Sequence, residues 1–496
     1  MDHILYWNLA ALEANRRDFS NVLGTAKPMP EQGGPTLSSR ALAIVHLGMY
    51  DAHAGALGNP AGLPAYLAGL PTPAPGSSAA AAVAAAAHAL LSLLYPRQRT
   101  EFDADLANAA LSGPGVAEGL AFGAQVADRL WADRVNDPSA SAMGFVPSML
   151  PGRNRADPVN TDAMLEKNFH GPYYGARSKC FAVSKRHELL PPYKLGSKDY
   201  LKAVKQVREK GIAPHLMGTL PPKADARTAE ETLIGIFWAY DGVRKLGTPP
   251  RLYNLILRDI AKQQNNDVNM NARLFALVNV ALGDAGILAW EQKYLHDFWR
   301  PVVGIREHDG SMGPAAPKPD DSLEDLCDPG WLPLGAPASN SYARTDAGVE
   351  VHDRDFTPPF PAYPSGHATF GAAALHMIRL FYGVKPGDRN PDKLFKGTLC
   401  SEEHNGMTKD SAGVVRPKHL RKFKDGLWQM IEENGLSRVY LGVHWSFDAF
   451  ELDSTGNPDV SKDIGGVPLG LKIAEDIFNG GRDKGLKKSA VAPRTP

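Results

Sequence analysis

Between Asn269 and Arg300 the chain reads NMNARLFALVNVALGDAGILAWEQKYLHDFWR. Apolar residues recur in this stretch every three or four positions, which is the spacing of an α-helix. Comparable patterns occur along most of the chain, near residues 4–16, 38–50, 78–94, 98–112, 116–134, 226–245, 250–263, 365–383, 417–434 and 467–479. Few segments alternate in the way that half-buried strands do. We therefore predict an all-α fold made of helical bundles, two of them given the number of helices.

The composition is that of a globular protein without a strong charge bias. Of the 496 residues 43% are apolar, which is ample for a sizeable core. Lys plus Arg equals Asp plus Glu at 54 each, so no global field favours nucleic acid or an anionic membrane. Cys180, Cys327 and Cys400 are far apart and show no metal-ligand spacing, so we expect isolated thiols. Any anion site must come from a local arrangement of side chains.

We expect three segments along the chain. Residues 1–225 form an N-terminal helical half, residues 226–480 form a second half that carries the motifs below, and the Lys-rich tail 481–496 is disordered. Residues 1–21 lack a basic segment followed by an apolar one, so we expect no secretory signal. The alanine-rich run 79–94 is shorter than the ~20 residues of a membrane span, so we expect a tightly packed buried helix and no membrane span.

Smaller signals mark the ends of elements. Ser38 or Ser39 is the expected cap of the second helix. Proline and glycine indicate surface loops near 58–75, 146–157, 309–337 and 383–393. The irregular segment from about Gly304 to Pro364 is long and lies between two of the motifs, so we expect it to form a channel wall.

The first motif is Lys293-Tyr-Leu-His-Asp-Phe-Trp-Arg300-Pro301. Seven residues are nearly two helical turns, so Lys293 and Arg300 are expected on one face of a single helix that Pro301 ends. Taken alone, such a pair is more often the solvated edge of a helix. Bulky neighbours at Trp290 and Trp299 favour a partly buried site instead, and buried cations need an anion.

The second motif is Pro364-Ser-Gly-His367, which precedes a helical pattern. Ser365 stands at a natural N-cap position, where free amides point at whatever lies in front. Gly366 lets the backbone approach closely because it has no side chain. His367 then projects beside a bound anion, where an imidazole exchanges protons near neutral pH. The alternative is an ordinary cap with a partly exposed histidine.

The third motif runs from Arg438 to Asp448. Arg438 and His444 are six residues apart, which does not align them on a straight helix. Gly442 lies between them and is expected to end the helix after Leu441, turning His444 back as a ligand or nucleophile. Asp448 then orients the His444 ring, although a simple surface carboxylate is about as probable from the sequence. Three fixed cations, a glycine-opened backbone and two histidines suit a tetrahedral oxyanion such as phosphate or vanadate.

The three motifs in this order resemble the superfamily that joins vanadium-dependent haloperoxidases with a class of acid phosphatases. Further stretches resemble the fungal vanadium chloroperoxidases, among them Ile4-Leu-Tyr-Trp-Asn8, Phe237-Trp-Ala-Tyr-Asp241, Gly247-Thr-Pro-Pro250 and Pro359-Phe-Pro-Ala-Tyr-Pro364. The likeness covers nearly the whole chain. It implies two four-helix bundles with the active site in the C-terminal one, and relatives of this kind are commonly secreted.

The resemblance also implies roles for the motif residues. Lys293, Arg300 and Arg438 would bind the equatorial oxygens of a vanadate cofactor together with Ser365 and the Gly366 amide. His444 would bind vanadium, His367 would be the acid–base residue, and Asp241 would pair with Arg438; from the residues alone, Asp241 is as readily a helix-end charge. His296, His308 and His376 are treated as non-catalytic.

Two aromatic residues bear on the halide. Phe360 stands where the bromoperoxidase branch typically has a second histidine, and Trp290 is of the chloroperoxidase type. Both are otherwise ordinary core aromatics. With the resemblance, they favour an apolar pocket that accepts chloride as well as bromide.

The function expected is a vanadium-dependent haloperoxidase. It would oxidise halide with hydrogen peroxide to hypohalous acid, which halogenates a small organic acceptor, while vanadium keeps its oxidation state. The main alternative is an acid phosphatase in which His444 attacks phosphorus to form a phosphohistidine and His367 protonates the leaving alcohol. A helical scaffold with a vestigial site is disfavoured because no motif position is lost.

Overall fold

The structure is a computed structural model that describes residues 1–20, 30–160, 168–310, 313–316, 318–320, 322–341, 344–346, 349–351, 354–481 and 486–494. In these ranges the chain forms helices α1 (His3–Asp18), α2 (Gly34–Ala56), α3 (Ala79–Leu94), α4 (Arg99–Asn108), α5 (Val116–Arg134), α6 (Tyr174–Arg177), α7 (Lys198–Lys210), α8 (Ala229–Phe237), α9 (Pro249–Gln263), α10 (Val268–His296), α11 (Pro301–Arg306), α12 (Gly366–Phe381), α13 (Gly426–Tyr440) and α14 (Gly466–Gly481). The all-α prediction is confirmed.

The strands are short and peripheral. They form three antiparallel pairs, β1 (Arg344–Asp346) with β2 (Val349–Val351), β3 (Leu399–Cys400) with β4 (Leu420–Arg421), and β5 (Glu451–Leu452) with β6 (Pro458–Asp459). Short 3₁₀ turns lie at Pro96–Gln98, Pro214–Thr219, Glu402–His404 and Ser446–Asp448. None of these pairs extends into a larger sheet within the described ranges.

Helix α10 is the centre of the molecule. Every residue from Leu274 to Lys293 is buried, because α2 packs on one side of the helix and α12 on the other. A helix that is buried all round can be apolar on every face. For the same reason α10 is, among the described helices, the one long and apolar enough to cross a membrane by length and composition, although 94% of its apolar window lies inside the protein.

The alanine-rich helix α3 packs between α2 and α5, as predicted for a tightly packed buried helix. Small residues allow the close approach. A Cβ at Gly123 of α5 would overlap the carbonyl of Ala82, and one at Gly119 would lie 2.9 Å from the Ala81 Cβ. These helices form an N-terminal packing unit, which meets α10 through α2.

The second packing unit surrounds α12. Helices α13 and α14 lie against it, and α9 and α10 complete its surroundings. A Cβ at Gly470 of α14 would overlap the Thr369 carbonyl, so α12 and α14 are almost in backbone contact. Because α12 begins at Gly366 and α13 ends at Tyr440, this packing brings the second and third motifs together.

Several predicted boundaries were wrong. Helix α2 begins at Gly34 with Pro35 in its first turn, so neither Ser38 nor Ser39 is its cap; both are buried inside the helix. The pattern at 226–245 gives only Ala229–Phe237, since Trp238 caps that helix and the chain then turns. The pattern at 417–434 is displaced to Gly426–Tyr440, because the residues before it form β4.

The tail differs from the predicted disorder in its described part. Leu486 is buried, the Ser489 amide donates to the Phe181 carbonyl at 2.8 Å, and Arg494 forms ion pairs with Glu291 and Glu188. Residues 482–485 and 495–496 lie outside the described ranges. The division of the helical chain near residue 225 stays a prediction.

Candidate active site

Lys293 and Arg300 come together through a turn and not along one helix. Helix α10 ends at His296, and Asp297 adopts a left-handed conformation with φ +48°. Arg300 is the N-cap of the next helix, whose first turn contains Pro301. The prediction of one continuous helix face ended by Pro301 was therefore wrong, because Pro301 begins a helix. Both cations are nonetheless buried, at 0% and 1% exposure.

The second motif has the predicted geometry. Ser365 is the N-cap of α12, and its hydroxyl oxygen accepts from the Ala368 amide at 3.4 Å. No described residue accepts from the amides of Gly366 and His367. A Cβ at Gly366 would lie 3.1 Å from the Trp290 ring, so a side chain at this position would crowd the Trp290 ring. The helix therefore presents free donors at a narrow opening.

The third motif turns as expected. Helix α13 ends after Tyr440, and Gly442 has φ +71°, which glycine adopts without strain. His444 Nδ1 donates to Asp448 Oδ2 at 2.8 Å, and the carboxylate also accepts from the Trp445 amide at 3.0 Å. Asp448 is completely buried, which is against a surface role. Its carboxylate fixes the orientation and tautomer of the His444 ring.

Arg438 is held by Asp241. Its Nη2 and Nη1 donate to the two oxygens of that carboxylate at 2.7 and 3.0 Å, although the residues are 197 positions apart. Arg438 has 0% exposure, and Asp241 lies in the turn that follows α8. The pairing expected from the resemblance is thus present, and it orients the guanidinium by both Nη groups.

Arg300 and Lys293 use most of their donors on nearby acceptors. Arg300 Nη1 donates to the Val443 carbonyl at 2.7 Å and to His444 Nε2 at 2.8 Å. Lys293 Nζ donates to the carbonyls of Pro361, Ala362 and Pro364 at 2.8, 3.1 and 2.5 Å. An ammonium has three donors, so Lys293 is saturated by the segment that leads into Ser365.

Within the site, two buried guanidinium nitrogens have no partner among the described residues. They are Nη2 of Arg300 and Nε of Arg438. A buried charged donor without an acceptor is costly, and native proteins satisfy such groups. Together with the free amides at the start of α12, these donors surround a position suited to several oxygens of one anion. The residues present therefore fit a tetrahedral oxyanion.

The pKa values of the site residues also indicate a position for an anion. Burial, followed by the neighbouring Arg300, holds the pKa of Lys293 well below its ordinary value. Burial also lowers the pKa of Arg300 to about 9, against the opposing effect of Asp448. Burial and the nearby cations lower the pKa of His444 far below 6.5, so its imidazole is neutral with a lone pair at Nε2. A bound anion would relieve this excess of positive charge.

His367 is neutral and oriented. Its Nε2 donates to the Ala239 carbonyl at 2.7 Å, so the lone pair is on Nδ1. Burial, and then Arg438, lower the pKa of His367 to about 4, although Asp241 lies 3.8 Å away. The His367 carbonyl accepts from Tyr253 and Asn434 at 3.1 and 2.8 Å. These two supporting residues were not found from the sequence, where nothing distinguishes them from other helix residues.

A cavity of about 600 Å³ reaches the site. Its inner end includes Gly366, His367, Arg438 and His444, and its wall is mainly apolar. From the irregular segment before the second motif it takes Phe356, Pro358, Pro359 and Phe360, which confirms the expected wall for this part of the segment. The cavity gives a small solute access to the anion position.

Trp290 and Phe360 form the aromatic part of the wall. Their ring centroids are 4.7 Å apart, and Lys293 Nζ lies 5.6 and 5.0 Å from the two rings. Arg300 lies 5.0 Å from the Phe360 ring. Such cation–π contacts keep the cations in an otherwise apolar wall. The sequence placed both aromatics correctly beside the motifs.

The structure thus brings all the predicted site residues to one region, although they come from four separate parts of the chain. His170, which also lines the cavity, was not found from the sequence. It lies outside the motifs, and a lone histidine in a loop carries no signal. Cys180, Cys327 and Cys400 are free thiols, and the described residues include no group of three or more His, Cys, Asp or Glu that would hold a bare metal ion.

The fold and the site define a helical protein with a buried oxyanion site, and comparisons identify its family. Two family models match the chain, "Vanadium chloroperoxidase N-terminal domain" over residues 1–180 and "VCPO second helical-bundle domain" over residues 273–458. A vanadium chloroperoxidase of Curvularia inaequalis is 34% identical over an alignment of 588 positions that covers 97% of this chain and 90% of that protein. The chain belongs to the vanadium chloroperoxidase family.

Solved structures show the same fold. A bacterial vanadium-dependent iodoperoxidase has a TM-score of 0.63 at 20% identity, with 97% of each chain covered. A holo-type bacterial vanadium-dependent chloroperoxidase has a TM-score of 0.59 at 16% identity, covering 91% of this chain and 95% of that one. At these identities the likeness concerns the fold alone, and it agrees with the helical architecture.

Proposed function

We propose that this protein is a vanadate-dependent haloperoxidase, an oxidoreductase that uses hydrogen peroxide to oxidise chloride or bromide to hypohalous acid. The observation that carries the proposal is the pair of buried donors on Arg300 and Arg438 that have no partner among the described residues, beside the free amides of α12. The family relationship selects vanadate among the tetrahedral oxyanions that such donors would accept. Hypohalous acid would then halogenate a small organic acceptor.

The vanadate oxygens would be held by Arg300 Nη2, Arg438 Nε, the Gly366 amide and the Ser365 hydroxyl. No described acceptor uses the hydroxyl hydrogen of Ser365. Bound vanadate would supply Lewis acidity that makes hydrogen peroxide electrophilic. The protein supplies fixed dipoles in a buried site, where they need no reorganisation during the reaction.

His444 would be the vanadium ligand through Nε2. Its Nδ1 is committed to Asp448, so the lone pair is on the nitrogen directed at Arg300. Ligation would replace the 2.8 Å hydrogen bond from Arg300 Nη1 and free that donor for the anion. Asp448 then keeps the ring fixed, as carboxylates do for metal-bound histidines.

His367 would move the protons of the reaction. It holds its Nε2 proton on the Ala239 carbonyl and offers Nδ1 as a base in the cavity. A bound anion beside the ring would raise its pKa from about 4 toward neutrality. It would then accept a proton from hydrogen peroxide and return one to the leaving oxygen.

Lys293 would act mainly through its charge and through the backbone that it holds. All three donors are occupied by carbonyls of residues 361–364, so they fix the approach to Ser365. A direct bond to the anion would require exchange of one of these hydrogen bonds. The aromatic wall of Trp290 and Phe360 beside it supports use of chloride as well as bromide, because an apolar wall desolvates the halide.

The test is a pair of assays on the purified protein. Protein loaded with orthovanadate is given hydrogen peroxide, halide and a 1,3-diketone acceptor, and vanadate-free protein is given an aryl phosphate. We expect halogenation that needs vanadate and little phosphate release. Fast ester hydrolysis with no halogenation would make the protein a phosphatase that uses the same residues. Arg300→Ala should abolish either activity, whereas Arg153→Ala should not, because Arg153 is an exposed arginine of another loop that only donates to the His296 carbonyl.

A further inference from the structure

His170 lies in the cavity wall beside the two aromatic residues of the site, Trp290 and Phe360. Its ring centroid is 6.0 Å from that of Trp290 and 6.3 Å from that of Phe360. It comes from the loop before α6, in the N-terminal part of the chain, and no motif includes it. Apart from the site residues Asp241, His367, Arg438 and His444, the described lining has one other polar side chain, Ser141.

The position of His170 is fixed by its backbone. Its amide donates to the Pro359 carbonyl at 2.7 Å, and its carbonyl accepts from Trp290 Nε1 at 3.0 Å and from Tyr294 OH at 2.8 Å. Gly34, with φ +70°, lies so close that a Cβ there would be 2.5 Å from the imidazole Cε1. The imidazole ring is therefore confined between α2 and the loop before the second motif.

These contacts also show which donor the wall retains. The Trp290 N–H is used by the His170 carbonyl, so it does not point a donor at the cavity. Phe360 has none. Of the three rings in this part of the wall, only His170 has a side-chain nitrogen that is not committed to the described protein, namely Nδ1.

The hydrogen bond to Thr36 sets the tautomer of His170. Nε2 and Thr36 Oγ1 are 2.7 Å apart, and Thr36 is completely buried. If Nε2 donated, the buried Thr36 hydroxyl hydrogen would have no acceptor among the described residues. The hydroxyl therefore donates to Nε2, and the proton of the neutral imidazole is on Nδ1. Burial keeps the pKa of His170 near 4, so this neutral form persists.

We infer that His170 Nδ1–H binds the halide in the cavity and sets the affinity for it. This inference rests on the proposed haloperoxidase function. A halide is a weakly basic anion that binds well where one N–H donor meets aromatic ring edges, which carry partial positive charge. Because Thr36 holds the donor tautomer, Thr36 is a positioning residue of the same site.

The variants His170→Phe, His170→Asn and Thr36→Val test the inference. His170→Phe keeps a ring and loses the donor, and the KM for bromide should rise about tenfold, since hydrogen bonds to charged partners are stronger than neutral ones. The kcat and the KM for hydrogen peroxide should change less than about twofold, because the anion site is untouched. His170→Asn places an N–H near the Nδ1 position and should restore most of the affinity. Thr36→Val should raise the KM for bromide as well, by a smaller factor, because the donor tautomer is no longer fixed.

A structural measurement separates this inference from the function itself. Crystals of vanadate-loaded protein soaked in bromide should show an anomalous peak within hydrogen-bond distance of His170 Nδ1, whether or not the variants fold. The absence of that peak, or an unchanged bromide KM in a folded His170→Phe variant, would overturn the role of His170. If the wild-type protein never halogenates, the proposed function is refuted. The bromide peak would still show whether a halide binds at His170.

Discussion

Asp241 binds both Nη groups of Arg438 at 2.7 and 3.0 Å and leaves Nε of the same guanidinium without a partner in the described protein. The pair is buried, so the carboxylate offsets part of the charge while the free donor points at the anion position. This division of one guanidinium between a structural carboxylate and a ligand explains how an arginine can stay fixed at 0% exposure before the anion binds.

Asp241→Ala should destabilise the vanadate-free protein by about 3 kcal/mol, because it leaves a buried cation unpaired. Urea unfolding measures the difference. Asp241→Ala combined with Arg438→Met removes both charges and should recover much of that loss, since a buried pair replaced by apolar groups is often neutral. A double variant as unstable as the sum of the two single variants would show that the pair contributes no coupled stability.

Asp448→Asn should weaken vanadate binding by about 10- to 100-fold, which is typical for loss of the carboxylate behind a metal-bound histidine. The amide can still contact His444 Nδ1, but it no longer favours the tautomer with the lone pair on Nε2. Titration of activity with orthovanadate gives the affinity. Asp463→Asn, at an exposed ion pair with Lys472, is the matched control and should leave that affinity unchanged.

Glu475 should make the fold sensitive to acid. Burial would raise its pKa, but hydrogen bonds from His376, the Gly387 amide and Arg389 outweigh burial and lower the pKa from 4.5 to about 2. A depressed carboxyl pKa stabilises the fold above the unfolded value of 4.5, and this contribution is lost as the pH falls from 4.5 toward 2. His376, whose pKa is lowered chiefly by burial, adds a loss that begins below 6.5.

Glu475→Gln should therefore unfold at a lower urea concentration at pH 7 and lose less stability than the wild type between pH 4.5 and pH 2. The difference at pH 7 should be of order 1–2 kcal/mol, since the carboxylate is partly exposed. Glu188→Gln, at an exposed pair with Arg494, should follow the wild-type curve. Parallel acid curves for Glu475→Gln and the wild type would contradict this assignment.

Gly123→Ala should destabilise the N-terminal packing unit by about 1–3 kcal/mol, the usual cost of overpacking. The added Cβ would overlap the Ala82 backbone, which cannot move away as a side chain can. Thermal unfolding tests this, with Gly218→Ala as the control because no described atom lies within 4 Å of a Cβ there. Equal thermal unfolding midpoints for the two variants would contradict this prediction, because they would mean that α3 and α5 can move apart without loss of stability.

The sequence predicted the chemistry of the site better than its geometry. Lys293 and Arg300 were found by their spacing, yet the spacing was explained by one helix, and the structure uses a left-handed Asp297 and a new helix at Pro301. A residue before proline avoids the helical conformation, so Arg300 could have been recognised as a helix boundary. Ser365 and Gly442 were predicted correctly because caps and left-handed turns have local signals.

Features that depend on distant contacts were harder to predict. Helix α7 was missed although Tyr200, Ala203, Val204 and Val207 have helical spacing after the Ser197 cap. The tail at residues 486–494 reads as disordered by composition, but contacts with Phe181 and Glu291 order it. His170 reaches the cavity only through tertiary packing, so no local pattern reveals it.

The most direct test of the central claim is a titration of vanadate-free protein with orthovanadate, followed by halogenation of a 1,3-diketone with hydrogen peroxide and bromide. We predict no activity without vanadate, a rise that saturates at one vanadate per chain, and inhibition by phosphate that competes for the same donors on Arg300 and Arg438. Halogenation that is independent of vanadate, or none at any vanadate concentration in the folded protein, would contradict the claim that this oxyanion site is the catalytic centre.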